Sequence, residues 1–340
     1  MSEQSTEWGG KLWEVASLVT PMAIRVAATL RLADHIAAGT RTTEELARTV
    51  NADQDTLGRL LDHLVTAGVL TRAGTGAYGL TDLGEELRDD YPDGVRSFLD
   101  LEGAVGRADL SFVQLLHTVR TGEAAFPIQF GQGFWDDMTE DSGRSASFDT
   151  LMGARLVVDG PAIATAYPWD ALGHLVDAGG GDGSLLIAIL RAHGDLRGTV
   201  VDLPGSAARA EKAIAAAGLG ERAEARAGSF FDALPAGAGG YLLSGILHDW
   251  SDEHCVRILR RCADAASGTG KVLVLERIGD AEGDSLDTEI DLRVLCWTGG
   301  RERTLDQLSE LAKAAGLRIG SVRPALSRSI VELIDADQSD

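Results

Sequence analysis

The 340-residue chain carries 31 lysines and arginines against 52 aspartates and glutamates, a formal net charge of −21. A field of that sign repels polyanions, so composition argues against a nucleic-acid partner. Hydrophobic residues make up 44% of the chain, but no apolar run reaches the length of a membrane span, which argues against a membrane partner as well.

Met1 to Trp8 is polar and acidic and reads as neither a signal nor a transit peptide, so a cytoplasmic protein is expected. Cys255, Cys262 and Cys296 have no metal-ligand spacing. Cys255 and Cys262 fall on one stripe of a predicted helix, and all three read as reduced core residues. The length allows one to three domains with a large core.

Trp8 to Ala38 is rich in helix formers, with Leu12, Val15, Ala16, Val19 and then Met22, Ala23, Val26, Ala27 and Leu30 recurring at three and four. Pro21 should start or kink a helix. So apolar a stripe near a terminus suits packing against a partner subunit, or else within its own chain. Next, Thr43 opens a short helix over Glu44 to Val50, and a second runs from Asp55 to Ala67 with Leu57, Leu60, Leu61, Leu64 and Val65 on one face. Gly68 ends it. Leu70 and Tyr78 lie in two short strands that flank a Gly-Thr-Gly turn and read as a hairpin, and Thr81-Asp82 caps a further helix. This is a winged-helix pattern. Its second helix offers Arg59 and His63, offset by Asp53, Asp55 and Asp62, a poor footprint for phosphates. A structural or dimerisation role is expected instead.

Tyr91 to Met152 is helical with an interruption. Gly122 to Gly133, with Pro127 and the aromatics Phe126 and Phe130, reads as a loop between helices that could cover a pocket. Phe148 and Met152 lie one helical turn apart and share a face. They are either core or the lining of a substrate cavity, and Trp135 and Trp297 are candidates for the same lining. A connecting helix from Arg155 to Tyr167 ends at Pro168-Trp169-Asp170.

From Gly173 onward, strands alternate with helices. The run Gly-His-Leu-Val-Asp-Ala-Gly-Gly-Gly-Asp-Gly, from Gly173 to Gly183, is a strand that turns through glycines into a helix. Glycine tolerates positive φ and lets a ligand approach the backbone, while the helix N-terminus attracts anionic groups. Asp182 and Ser184 are candidate caps. The spacing is not the dinucleotide G-x-G-x-x-G. Asp177 followed by Gly179, Gly181 and Gly183 resembles the first motif of class I methyltransferases that use S-adenosylmethionine. Strands are expected over Thr199–Leu203, Glu224–Ser229, Tyr241–Ile246 and Lys271–Glu276, with helices over Ser206–Ala217, Asp252–Ala266 and Thr304–Ala315. Leu317–Arg323 and Ser329–Leu333 are expected to pair as a terminal hairpin turning at Pro324.

Ligands of open α/β sheets bind at the carboxyl ends of the strands. Asp202 ends the second strand and can accept hydrogen bonds from ribose hydroxyls. Ser229 and Phe230 end the third, where a hydroxyl and an aromatic face suit adenine, although Phe230 also fits a core. Ser244 lies near the end of the fourth. His248 follows directly and, near its ordinary pKa of about 6.5, can accept a proton at neutral pH. Glu276 ends the next strand and Glu302 precedes a helix. Both acids are expected beside the imidazole, where carboxylates raise its pKa and orient it.

His-Asp-Trp after the fourth strand, Glu276 at the end of the fifth and Gly-Gly-Arg-Glu-Arg-Thr at 299–304 resemble the caffeate-type O-methyltransferase family, in particular its bacterial aromatic-polyketide tailoring branch, which includes naphthoate O-methyltransferases. The resemblance covers almost the whole chain. It implies a Rossmann-like seven-stranded α/β methyltransferase domain preceded by a mainly α-helical winged-helix dimerisation domain. The divisions expected are a dimerisation domain at 1–100, a helical connector lining the substrate pocket at 101–170 and an S-adenosylmethionine-binding domain at 171–340.

The resemblance further implies a homodimer, no metal and methylation of a phenolic hydroxyl on an aromatic natural-product intermediate. His248 is then the general base with Glu276 and Glu302 beside it. Gly179, Asp202, Ser229, Phe230 and Ser244 fall where the family contacts its cofactor, with Asp177 and Gly181 of the glycine motif as further candidates there, and Phe148 and Met152 match positions lining the acceptor pocket. Plant members carry an acid, a methionine and a lysine where Ser229, Phe230 and Ser244 stand. Two other readings stay open: a relative that keeps the cofactor but hydroxylates or decarboxylates, and a ligand-sensing winged-helix regulator.

Overall fold

The computed structural model describes residues 10–92, 95–279 and 287–337. It divides into two compact units, 1–107 and 108–340.

The first unit begins with α1 (Lys11–Ala16), α2 (Val19–Thr29) and α3 (Leu32–Ala37). Pro21 occupies the third position of α2, inside the first turn, where no intrahelical N–H is required of it. α4 (Thr43–Thr49) starts one residue before the expected helix. Its cap is Thr42, in a reciprocal capping box with Glu45. α5 (Gln54–Thr66) is capped by Asp53 and buries Leu57, Leu61 and Leu64. β1 (Leu70–Arg72) and β2 (Tyr78–Leu80) pair antiparallel as the wing, and the Thr81 hydroxyl accepts from Gly84 to start α6 (Asp82–Glu85). α7 (Val95–Leu99) follows, and α8 (Ala104–Asp109) carries the chain across the unit boundary. These helices bury a core around Ala28, Leu32, Ile36, Leu61 and Leu64. By contrast Leu12, Val15, Leu18 and Val19 stand exposed, Leu12 at 81% and Val15 at 84%.

The second unit opens with short helices, α9 (Leu115–Thr121), α10 (Ala125–Phe130) and α11 (Phe134–Glu140), then the long α12 (Ser142–Thr165). The expected loop at 122–133 therefore contains a helix. Pro127 sits in its first turn, and Gly122 and Gly131, both at positive φ, close the helices on either side.

A seven-stranded sheet forms the rest. β3 (His174–Ala178) leads through the glycines to α13 (Ser184–Ala192), and β4 (Arg197–Asp202) to α14 (Pro204–Ala216). β5 (Ala223–Ala227), β6 (Gly240–Ser244), α15 (Asp252–Ala266) and β7 (Lys271–Glu276) follow. β8 (Ile278–Gly279) pairs parallel with β9 (Arg303–Thr304) outside the main sheet, and α16 (Thr288–Thr298) lies between them in sequence. α17 (Leu305–Ala314) precedes the terminal strands β10 (Leu317–Ala325) and β11 (Arg328–Asp335).

The sheet order is β10-β11-β7-β6-β3-β4-β5, parallel except around β11. Pro324 is not the turn of the final hairpin. It pairs with Ser329 inside β10, an edge strand that needs no donor there, and Leu326 at φ 59° makes the turn. β7 and β6 are apolar on both faces because helices cover both. Among the described residues no helix is long and apolar enough to cross a membrane.

Candidate active site

The order of the sheet places β3 beside β6, with β4 and β7 outside them, so the functional loops meet where the chain crosses over. Gly179, Gly181 and Gly183 all adopt positive φ, as the turn requires. A Cβ on Gly179 would collide with Ile246 and press on Phe230 at 3.2 Å. Phe230 thus lies against the glycine turn while also packing on the core.

Gly183, not Asp182 or Ser184, is the N-cap of α13; the Asp182 carboxylate instead accepts from the Ser184 N–H at 3.0 Å. A Cβ on Gly153 of α12 would collide with Asp182, so α12 lies against the glycine turn one residue after Met152.

Asp177 is fully buried below the turn, 2.7 Å from where a Gly180 Cβ would stand, and among the described residues neither carboxylate oxygen has a hydrogen-bond partner. Burial, reinforced by the charges of Asp202 and Asp182, pushes it up to about 7. Asp202 accepts from the Gly181 N–H at 2.8 Å and from Leu203 at 2.6 Å. Burial raises it to about 6 against those two bonds. Each of its oxygens keeps a lone pair free. The Ser229 hydroxyl accepts from the Phe231 N–H, holding its own turn. The Ser244 hydroxyl is buried with no partner among the described residues.

His248 lies in the turn after β6, its Nε2 3.9 Å from where a Cβ on Gly245 would stand. Glu302 Oε1 is 2.9 Å from Nδ1, so Nδ1–H donates to it, and in the neutral imidazole Nε2 is the nitrogen that carries the lone pair. Glu276, expected at the imidazole, bonds elsewhere. Its Oε1 accepts the backbone N–H groups of Ile246, Leu247 and His248 at 3.1, 2.6 and 3.2 Å. The end of β7 lies under the turn, and three converging amides are the nearer donors. Asp249, a residue assigned no role from sequence, comes within 3.8 Å of Nε2. Burial draws the imidazole down, but Asp249, Glu302 and Glu276 outweigh it and raise His248 to about 9. Burial also raises Asp249, to about 6, against the pull of His248.

Trp135, Phe148 and Trp297 meet around Phe134, with centroid separations of 4.9, 5.7 and 5.8 Å. Trp135 also stacks on Trp250 at 6.4 Å, tying this cluster to the His248 turn. The indole N–H groups of Trp135 and Trp297 are buried and have no partner among the described residues. Met152 is half-buried on α12. Phe134 was passed over from sequence, although its place beside Trp135 was a usable signal.

This arrangement defines a small-molecule transferase of the class I methyltransferase fold. Residues 112–318 match the O-methyltransferase domain family and residues 13–89 the O-methyltransferase dimerisation domain. The chain belongs to the O-methyltransferase family.

Among its relatives is 2,7-dihydroxy-5-methyl-1-naphthoate 7-O-methyltransferase of Streptomyces carzinostaticus, 54% identical over 94% of this chain and 96% of that one. Aclacinomycin 10-hydroxylase RdmB of Streptomyces purpurascens is 44% identical over 94% and 87%. The crystal structure of NcsB1, an O-methyltransferase from neocarzinostatin biosynthesis in complex with S-adenosylmethionine and 2-hydroxy-5-methyl naphthoic acid, is similar at TM-score 0.91 and 53% identity, covering 97% of this chain and 100% of that one.

Proposed function

We propose that the protein is a homodimeric, cytoplasmic enzyme that methylates a phenolic hydroxyl of an aromatic, polyketide-derived acceptor of the naphthoate class, using S-adenosylmethionine. The observation that carries this reading is the Glu302–His248 pair, which leaves Nε2 as the one ring nitrogen able to take a proton.

The donor supplies, when bound, a methyl group on a sulfonium. The residues present fit it. Asp177 brings two unpartnered buried oxygens to the glycine turn, and Ser244 an unpartnered hydroxyl. An ammonium and a carboxylate would satisfy such groups, which otherwise each cost about 1–3 kcal/mol. Asp202 is suited to the ribose hydroxyls, with Gly179 and Gly181 leaving room beside it. Phe230 offers a ring face for the base, and Ser229 shapes that turn.

On the acceptor side, Trp135, Phe148 and Met152, from the stretch that we assign to the connector, and Trp297 of α16 supply apolar and aromatic walls. The two indole N–H groups are matched to an oxygen on the acceptor. His248 takes the phenol proton at Nε2 while Glu302 fixes the ring and stabilises the charge it gains. General-base help of this kind is worth about 10²–10⁴-fold, and holding the reactants aligned adds more. The exposed stripe of Leu12, Val15, Leu18 and Val19 supports a second copy as partner.

His248→Ala is expected to bind S-adenosylhomocysteine normally and to lose about 10²-fold or more in kcat. Near-normal turnover at saturating substrate overturns the assignment of the base. Product mass tests the reaction class, since methylation adds one CH2 where hydroxylation adds oxygen.

A further inference from the structure

The His248 turn is held by more than the acid under it. Glu276 satisfies its N–H side, as described above. Its carbonyl side is held by Arg303, a guanidinium only 2% exposed. Nη1 donates to the Leu247 carbonyl and Nη2 to the Trp250 carbonyl, each at 2.8 Å. The same guanidinium binds Asp252 Oδ1 through Nε at 3.2 Å and Nη2 at 2.8 Å, at the first residue of α15. Between these two carbonyls, the His248 carbonyl accepts from the Arg301 N–H at 2.8 Å. Gly300 permits that approach, since a Cβ there would collide with the His248 carbonyl oxygen.

We infer that Arg303 is a positioning residue for methyl transfer: it clamps the carbonyl face of the turn that Glu276 clamps from the amide face, and so sets where Nε2 stands. The inference rests on His248 being the base. A planar fork with several fixed donors suits this task, because one side chain must reach two carbonyls and a carboxylate in different directions. A lysine ammonium, a point donor on a flexible stem, cannot hold all three. Arg303 opens β9 directly after Glu302, so the backbone and the ring of His248 are aligned by neighbouring residues of one segment. Its hydrogen bonds go to Leu247, Trp250, Arg301 and Asp252 and not to the glycine turn, Asp177 or Asp202, so donor binding is expected not to depend on it.

The test uses the full-length protein and three variants, Arg303→Gln, Arg303→Lys and Asp252→Asn. The measurements are kcat, KM, the S-adenosylhomocysteine Kd by calorimetry and the rate–pH profile. Arg303→Gln is expected to keep Kd within about threefold and to lose about 10²-fold in kcat, the cost typical of a reacting group displaced by about 1 Å. The lysine variant is expected to recover little, and the pH profile to shift as the His248–Glu302 bond loosens.

Asp252 is 59% exposed, so Asp252→Asn should fold and lower kcat several-fold at unchanged Kd. Wild-type kcat and pH profile in Arg303→Gln overturn the inference, as does a parallel loss of Kd and kcat. Should the Arg303 variants fail to fold, an unchanged Asp252→Asn overturns it. If His248→Ala itself stays active, the underlying assignment of the base fails instead.

Discussion

His248, which we propose receives the phenol proton, is raised to about 9. It is therefore charged at neutral pH and must lose its proton before it can act. At pH 7 only about 1% of such a group is neutral, and at pH 9 about half, a rise of about 50-fold. The rate at low acceptor concentration is expected to climb nearly tenfold per pH unit from pH 6. Its limb should lie below 9 once the donor is bound, since a nearby cation disfavours imidazolium.

The perturbation that isolates the cause is Glu302→Gln. It removes the charge at Nδ1, 2.9 Å away, while keeping an acceptor oxygen, so the titration of His248 must move down. Asp249→Asn should move it the same way. The assay is histidine NMR titration of the ligand-free protein, beside rate–pH profiles of each variant. The sign for stability follows too. A histidine raised in the folded state contributes stability that is complete below about 6.5 and lost as pH rises through about 9. A ligand-free His248 titrating at or below 6.5, or a Glu302→Gln protein titrating no lower than the parent, refutes the reasoning.

Other expectations follow from the same geometry. Asp177 must be ionised to meet a cationic group, and burial holds it at about 7. S-adenosylhomocysteine should bind about tenfold more tightly at pH 8 than at pH 6, and Asp177→Asn should flatten that dependence in calorimetry. Gly300→Ala places a Cβ on the His248 carbonyl; kcat should fall by about 10-fold or more with calorimetric Kd little changed, and wild-type kcat would show that the approach does not matter. Leu12→Asp with Val15→Asp puts charge on the two most exposed apolar positions of α1. Sedimentation should then report a monomer, and a dimer that persists would place the interface elsewhere.

Local signals carried most of the fold. Ser251 capping α15 over Asp252–Ala266 and the doubly apolar β7 over Lys271–Glu276 were legible because cap, period and length agree within a few residues. Where such signals conflicted, the reading slipped. Pro324 looked like a turn, yet an edge strand tolerates it, and the real turn is made by Leu326, a residue with no turn signature. Pro127 between glycines looked like a loop, yet a proline in the first turn of α10 costs nothing.

The site divides in the same way. The strand-end acids and His248 could be found because the α/β topology converts sequence order into a place at one edge of the sheet. What each acid does there could not, because it depends on which donors arrive first from other elements. Glu276 and Glu302 looked equivalent on the page. In the fold three amides claim Glu276, while the Asp291 carboxylate at the start of α16, a helix absent from the sequence reading, accepts the Glu302 N–H at 2.8 Å and helps hold that residue at Nδ1. The two carboxylates therefore divide the work: one fixes the backbone that carries His248, the other fixes and charges the ring. Removing the first should displace the base and removing the second should retune it, so a rate–pH profile separates roles that a simple loss of activity would merge.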